Sequence, residues 1–350
     1  MTLAPGEDST TEVRAGFGFD EAALGRWMRE HVAGFEGPFS VRQFQGGQSN
    51  PTFRVTTGAA SYVLRRKPPG PLLPGAHAIE REARVLASLA TADFPVPHVH
   101  GLCEDAAVIG SPFYVMDMVE GRIFWDAALP SLAPKERAAC YDAMNAAMAR
   151  LHRVDVEAVG LADFGRPGNY FERQISRWSR QYREDETAGR NADMDAVIDW
   201  LGDHIPPGDE CALVHGDYRI DNLIFHPVEP RILAVLDWEL STLGHPLADF
   251  AYHAMSYRMP PHIVAGLGGT DPHTLGIPSE DEYIAAYSMR TGRSGIADFG
   301  FYLAFNFFRL AAIFHGIKGR VIRGTAASAE AHERAKAFPE LAALALAQTR

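Results

Sequence analysis

The sequence is poor in cysteine, in positive charge and in unbroken apolar runs. Its 350 residues include three cysteines, Cys103, Cys140 and Cys211. They lie far apart, form no C-x-x-C, and leave an odd one over after any pairing, which favours a reducing compartment. Lys and Arg number 33 against 44 Asp and Glu, a formal charge of −11. A sequence-independent duplex-binding surface is therefore not expected, because such binding rests on phosphate neutralisation. Residues 1–16 are polar and acidic, lack the basic and apolar stretches of a secretory signal, and are expected to fray. The most apolar stretch, 299–314, is interrupted by Asn306 and Arg309 and is shorter than the ~20 residues a membrane span needs. It reads as a buried helix. No fixed period recurs, which excludes solenoids and propellers. These absences lead to the expectation of a cytoplasmic protein with neither nucleic acid nor membrane as a partner.

What is present is an ordinary globular composition, 47% hydrophobic and 22% charged, in a chain long enough for two compact units. Helical periodicity runs over Phe19–Val32. Val41–Phe44, Thr52–Thr57 and Ser61–Arg66 alternate as strands, the last two around a turn at Gly58. A Pro-rich break at 67–71 precedes a helix over Ala76–Leu89, with Ile79, Ala83, Leu86 and Leu89 on one face. Strands are expected at Val99–Cys103 and Phe113–Met118, the second leading into a hinge at Glu120-Gly121. Beyond it the pattern is helical: Lys135–Leu151, Tyr170–Tyr182, Asp193–Leu201, Asp281–Met289 and Phe299–Gly316. Only Leu223–Phe225 and Ile232–Leu236 read as strands there. Segregated strands and helices imply an α+β fold, with a strand-rich unit over 17–118 and a larger helical one over 119–350.

The chemistry is concentrated in 213–237, which carries His215-Gly-Asp217, Asn222 five residues later, and Asp237 at the end of an apolar run. From this composition H-x-D-x-x-x-x-N is expected roughly 0.015 times by chance. Phosphoryl transfer needs a carboxylate for the acceptor hydroxyl and hard oxygen ligands that hold Mg²⁺ against ATP phosphates. This spacing supplies Asp217 as the base, with Asn222 and Asp237 as metal ligands.

On these residues the sequence resembles the aminoglycoside phosphotransferase and choline kinase superfamily, of protein-kinase-like, two-lobed fold. H-G-D-Y-R-I-D-N looks like its catalytic loop, and Val235-Leu-Asp237-Trp-Glu like its metal-binding segment, with Trp-Glu in place of Phe-Gly. The resemblance implies a phosphate-covering turn at Gly46, Gly47, Gln48, Ser49 and Asn50. It implies Arg65 in the place of the phosphate-pairing lysine, and Glu82 as its partner, with Glu80 competing. Backbone groups at Asp117, Met118 and Val119 would meet adenine. His215 would brace the loop, and Asp249, in Leu243-Gly-His245-Pro-Leu-Ala-Asp249, would brace it from a distance. YVLRRKPPGPLLPGAHAIEREARVL and SPFYVMDMVEG look like the kinase-like domain that some proteins join to an acyl-CoA dehydrogenase. No dehydrogenase domain is expected within these residues. The likeness spans about residues 25–325.

The implied activity is an ATP- and Mg²⁺-dependent transfer to the hydroxyl of a small molecule, such as a hydroxyacyl-type metabolite, an amino alcohol or a sugar. Two other classes stand beside it. A non-catalytic nucleotide-binding module would have no need of Asp217. A metal-dependent hydrolase would gather His215, Asp217, His226, Asp237 and His245 around a transition metal. The run Arg65-Arg66-Lys67 has three open fates: nucleotide phosphates, an anionic substrate, or water. Asn306 and Arg309 either line a substrate pocket or are satisfied buried groups.

Overall fold

The structure is a computed structural model that describes residues 10–45, 50–70, 77–326 and 329–350. Its contacts divide the chain into two units. The first comprises 1–125, 155–161 and 220–241; the second comprises 126–154, 162–219 and 242–350. The sequence-based boundary at 118/119 is thus displaced, and the first unit takes back two later segments.

In the first unit, β1 (Thr10–Thr11), β2 (Phe39–Phe44), β3 (Thr52–Thr57), β4 (Ser61–Arg66), β5 (Val99–Cys103) and β6 (Phe113–Asp117) form one sheet. The order is β1-β2-β3-β4-β6-β5, and every neighbouring pair is antiparallel. Thr10 and Thr11 pair with Phe44 and Gln43, so the end expected to fray is anchored in the sheet from Thr10 onward. Helix α1 (Glu21–His31) starts at Asp20, whose carboxylate accepts the Ala23 amide. Leu24, Trp27 and Met28 of α1 pack with Phe53, Val55, Tyr62, Leu64, Phe113 and Val115 in one apolar core.

Side chains alternate across a strand. If Tyr62 and Leu64 face α1, Val63 and Arg65 must face away, and Tyr114 does the same on β6. Helix α2 (Ile79–Thr91) is the element met on that other side: Glu82 bonds both Arg65 and Tyr114. The unit is completed by a hairpin, β8 (Leu223–Phe225) with β9 (Ile232–Val235).

The second unit holds α3 (Pro134–Leu151), α4 (Tyr170–Glu184), α5 (Ala192–Asp203), a strand pair of β7 (Ala212–Val214) with β10 (Thr242–Gly244), α6 (Pro246–Ala254), two short turns α7 (Pro261–Val264) and α8 (Pro272–Leu275), α9 (Glu280–Thr291), α10 (Phe299–Ile322) and α11 (Ala329–Ala347). β7, β10, α6, α7, α8 and α11 are absent from the sequence expectation; three-residue strands are too short to show a period. Helix α10 extends past the expected end at Gly316 and is 24 residues long. By length and composition it matches a membrane span, but 83% of its apolar window is buried, and it packs against α4, α5, α6 and α11.

Gly121 is not a hinge. A Cβ there would lie 2.2 Å from the Phe225 carbonyl oxygen and 2.5 Å from Ile224 Cγ2. The next residue, Arg122, exchanges two backbone hydrogen bonds with Phe225 of β8, both 2.8 Å. The glycine permits this close approach and so welds the strand-exit segment to the hairpin. Gly121→Ala is expected to destabilise the protein by about 1–3 kcal/mol, read as a lower melting temperature in a thermal unfolding scan. An unchanged melting temperature would refute the close-packing role.

Candidate active site

The sequence-predicted residues are distributed over both units. In the first, Arg65 is the centre of a charged cluster. Its Nε lies 2.7 Å from Glu82 Oε2, and its Nη2 lies 2.9 Å from Asp237 Oδ1 and 3.7 Å from Glu239 Oε2. Burial opposes the Arg65 charge, but Glu82 foremost, then Tyr114, Asp237 and Glu239, holds its pKa above the ordinary value. Glu82, 1% exposed, also accepts Asn50 Nδ2 at 2.9 Å and the Tyr114 hydroxyl at 3.1 Å. Burial pushes the Glu82 carboxyl up to about 7 against the pull of Arg65, with Asp237 and Glu239 adding to the rise.

The competition between Glu80 and Glu82 resolves by register. Glu80 pairs with Lys67 at 2.9 Å, while Glu82, two positions on, turns inward to Arg65. Arg66 is buried, donates to the Ile109 carbonyl at 3.3 Å and lies over the rings of Phe19 and Phe53. The basic run thus separates into one cluster residue, one core residue and one ion pair with Glu80, so its three members do not share a single fate.

The Asn50 side chain is fully buried between Glu82 and the His77 ring, 3.1 Å from His77 Nδ1, so it ties the strand entry to α2; the role expected of this turn rests on its backbone amides. Gly47 and Ser49 lie outside the described residues. Asp117 is committed to β5: its amide donates to the His98 carbonyl at 2.9 Å, and His100 Nε2 meets its carboxylate at 2.7 Å. Among the described residues, the backbones of Met118 and Val119 form no hydrogen bond, so these two retain the donor and acceptor that adenine would need.

Asn222 and Asp237 are brought together by the β8–β9 hairpin. The Asn222 carbonyl accepts the Leu236 amide at 2.8 Å, so the two residues sit at the same end of one hairpin. Asp237 adopts a left-handed backbone, φ 64°, and its side chain is 41% exposed. Two hard oxygen donors at one hairpin end suit Mg²⁺.

In the second unit, Asp217 sits in a loop gripped by α6. Asp249 Oδ2 and Oδ1 accept the His215 and Gly216 amides at 2.7 and 2.8 Å. Tyr252 donates its hydroxyl to Asp217 Oδ1. His253 Nδ1 donates to the Tyr218 carbonyl at 3.2 Å, and the Tyr283 hydroxyl meets its Nε2 at 2.8 Å. Positions 249, 252 and 253 are spaced i, i+3 and i+4, one helix face, so a single turn holds four successive loop residues.

The His215 ring is fully buried and its Nδ1 accepts the Asp217 amide at 3.2 Å, which locks the turn from inside. His152 Nε2 donates to Asp249 Oδ2 at 3.1 Å, and its Nδ1 lies 2.7 Å from the Tyr287 hydroxyl. Burial works to raise the Asp249 carboxyl, yet the His152 hydrogen bond and charge, with those of His215, keep it below the ordinary value. Burial holds His253 near 4, and hence neutral.

Sequence reasoning missed Tyr252, His253 and His152. The only available signal was the spacing of Tyr252 and His253 after Asp249. Arg309 donates to the Gly216 carbonyl at 2.8 Å, and Asn306 Nδ2 donates to the Ala248 and Tyr302 carbonyls, both at 2.9 Å. Arg309 is thus engaged by the loop, whereas Asn306 is satisfied only as a donor, its buried Oδ1 having no partner among the described residues. The residues of the hydrolase alternative are otherwise engaged: His226 Nδ1 accepts the Val228 and Glu229 amides, and His245 Nδ1 caps α6 at Leu247. Among the described residues no three His, Cys, Asp or Glu side chains form a metal-binding group.

A family model described as "Phosphotransferase enzyme family" matches residues 40–294. The chain belongs to this phosphotransferase family. It is 45% identical to acyl-CoA dehydrogenase family member 10 of Mus musculus over 97% of this chain and 32% of that protein. Against family member 11 of Gallus gallus it is 45% identical over 98% of this chain and 44% of that protein. It thus spans from a third to under half of these relatives. A Ralstonia eutropha crystal structure, provisionally named an aminoglycoside phosphotransferase, has a TM-score of 0.88 at 51% identity, covering 95% of this chain and 98% of that one. A choline kinase from Cryptosporidium parvum has a TM-score of 0.59 at 12% identity, covering 92% and 97%, a likeness of fold alone. The fold is the α+β protein-kinase-like fold of this phosphotransferase family.

The folded pKa of Glu82 lies above its ordinary 4.5, so its protonated form contributes stability that is complete below about 4.5 and is lost as pH rises through about 7. Glu82→Gln removes that titration. Relative to the variant, the wild-type melting temperature should fall between pH 5 and 8, and parallel curves would contradict the burial-driven shift.

Proposed function

We propose that the protein is an ATP- and Mg²⁺-dependent phosphotransferase acting on the hydroxyl of a small molecule. The observation that carries this reading is the Arg65 guanidinium, fixed by Glu82 at 2.7 Å and reaching Asp237 at 2.9 Å. A forked cation held by a buried carboxylate beside a metal-ligand candidate is the arrangement needed to bind nucleotide phosphates.

In this reading the backbones of Met118 and Val119 bind adenine, and Arg65 binds the phosphates. Asn222 and Asp237 would hold Mg²⁺, which when bound would neutralise charge on the nucleotide phosphates. Asp217 accepts the proton of the acceptor hydroxyl as its oxygen bonds to the γ-phosphorus and the bond from that phosphorus to the bridging oxygen breaks, releasing ADP. The loop bonds from Asp249 keep Asp217 in place throughout, so catalysis is positioning and electrostatics. The names of the curated relatives support a hydroxyacyl-type acceptor. ADP release should be compared across hydroxyacyl-CoA thioesters, amino alcohols, sugars and aminoglycosides; turnover only with the last three would count against that acceptor.

Asp217→Ala is expected to lower turnover by roughly 10²–10⁴ with nucleotide affinity little changed. Full activity in the variant would remove Asp217 from the base role. Asp237→Ala should abolish the Mg²⁺ dependence of nucleotide binding in calorimetry, and retention of that dependence would place the metal elsewhere.

A further inference from the structure

Asp217 is not held by its own loop alone. Tyr252 of α6 meets it directly, and Arg309 of α10 meets Tyr252 and the residue before Asp217; neither belongs to the sequence motif. The Tyr252 hydroxyl meets Asp217 Oδ1. A carboxylate only accepts, so the phenol donates. The Tyr252 ring is 9% exposed, and burial together with the Asp217 charge raises its pKa, which keeps the donor proton in place. The guanidinium of Arg309, on α10, lies 5.3 Å from the centroid of that ring. The same guanidinium donates to the Gly216 carbonyl at 2.8 Å. One cation therefore touches both the ring that holds Asp217 and the backbone residue that precedes it. Arg219 Nε lies 3.4 Å from the same Oδ1.

We propose that Tyr252 and Arg309 are positioning residues for Asp217: the phenol fixes the rotation of the carboxylate, and the guanidinium fixes the phenol. This rests on Asp217 being the catalytic base. A carboxylate turns freely about its last bond unless an oxygen is pinned, and misplacement of a reacting atom by about 1 Å can cost on the order of 10²-fold in rate. The charge-assisted phenol bond supplies the pin. A cation over the ring face draws on the ring's electron density, strengthening the phenol as a donor, and it also ties the ring to the loop through Gly216. The spacing on α6 makes this possible: Asp249 takes the loop amides, and one turn later Tyr252 takes the loop side chain.

The test uses the full chain with ATP and Mg²⁺, water serving as the acceptor. ADP release is followed with a coupled assay, and binding of a non-hydrolysable ATP analogue with calorimetry. Tyr252→Phe is expected to lower the turnover number about 10-fold or more while the KM for ATP and analogue affinity stay within about twofold. In an Asp217→Asn background the same change should have no further effect, since the pinned oxygen is no longer a base. Arg309→Met should reproduce most of the loss and Arg309→Lys little of it, which preserves a readout if Tyr252→Phe folds poorly. Wild-type turnover in Tyr252→Phe, or an equal loss with and without Asp217, would overturn the proposal. Full turnover in Asp217→Asn alone would overturn the base assignment instead, a separate result.

Discussion

The second unit is organised around one buried charge. Asp249 is 3% exposed, and a carboxylate in that position is tolerable only if donors surround it. The donors it finds are the amides of His215 and Gly216 and the His152 ring. Meeting that demand sets the path of the loop that carries Asp217. The β7–β10 pair delivers the chain on either side of the loop, Leu213 opposite Leu243, and the aromatic faces of Phe250 and Tyr287, 4.0 Å between centroids, close off the region that holds His152. The site is thus a consequence of satisfying a buried anion, and its rigidity is the rigidity of that hydrogen-bond set.

The first unit solves a related problem with a cluster of mixed sign. Arg65 faces three carboxylates, two of which also serve the hairpin end at Asp237 and Glu239. Asn50 and Tyr114 supply neutral donors to Glu82. The result is a cation that cannot drift, presented from a strand whose opposite face belongs to an apolar core. Sheet alternation, more than any single interaction, puts the charge on one side and the packing on the other.

Much of this was readable in the residues. The strands Thr52–Thr57, Ser61–Arg66, Val99–Cys103 and Leu223–Phe225 coincide with expectation because a two-residue period or an apolar run bounded by turns survives in a single sequence. Pairing of Arg65 with Glu82 followed from family likeness and is explained by the register of β4 against α2. What escaped depended on contacts distant in the chain. Tyr252 and His152 matter through partners 35 and 97 residues away, and nothing local marks them. The burial of the Asn50 side-chain amide against Glu82 is likewise a tertiary fact with no local signal. The unit boundary escaped because the chain leaves the first unit after Trp125 and re-enters it twice.

The turn that carries Asp237 is closed by its own neighbours. The Trp238 indole donates to the Val235 carbonyl at 3.0 Å, and the Ser241 hydroxyl and amide both return to the Trp238 carbonyl, at 2.6 and 3.1 Å. Trp238 is sunk into the core beside Phe94, and Asp237 itself occupies a backbone region that few residues other than glycine enter cheaply. Three local hydrogen bonds and one buried ring thus hold the residue that carries the exposed carboxylate, so its direction is set by the hairpin and not by solvent.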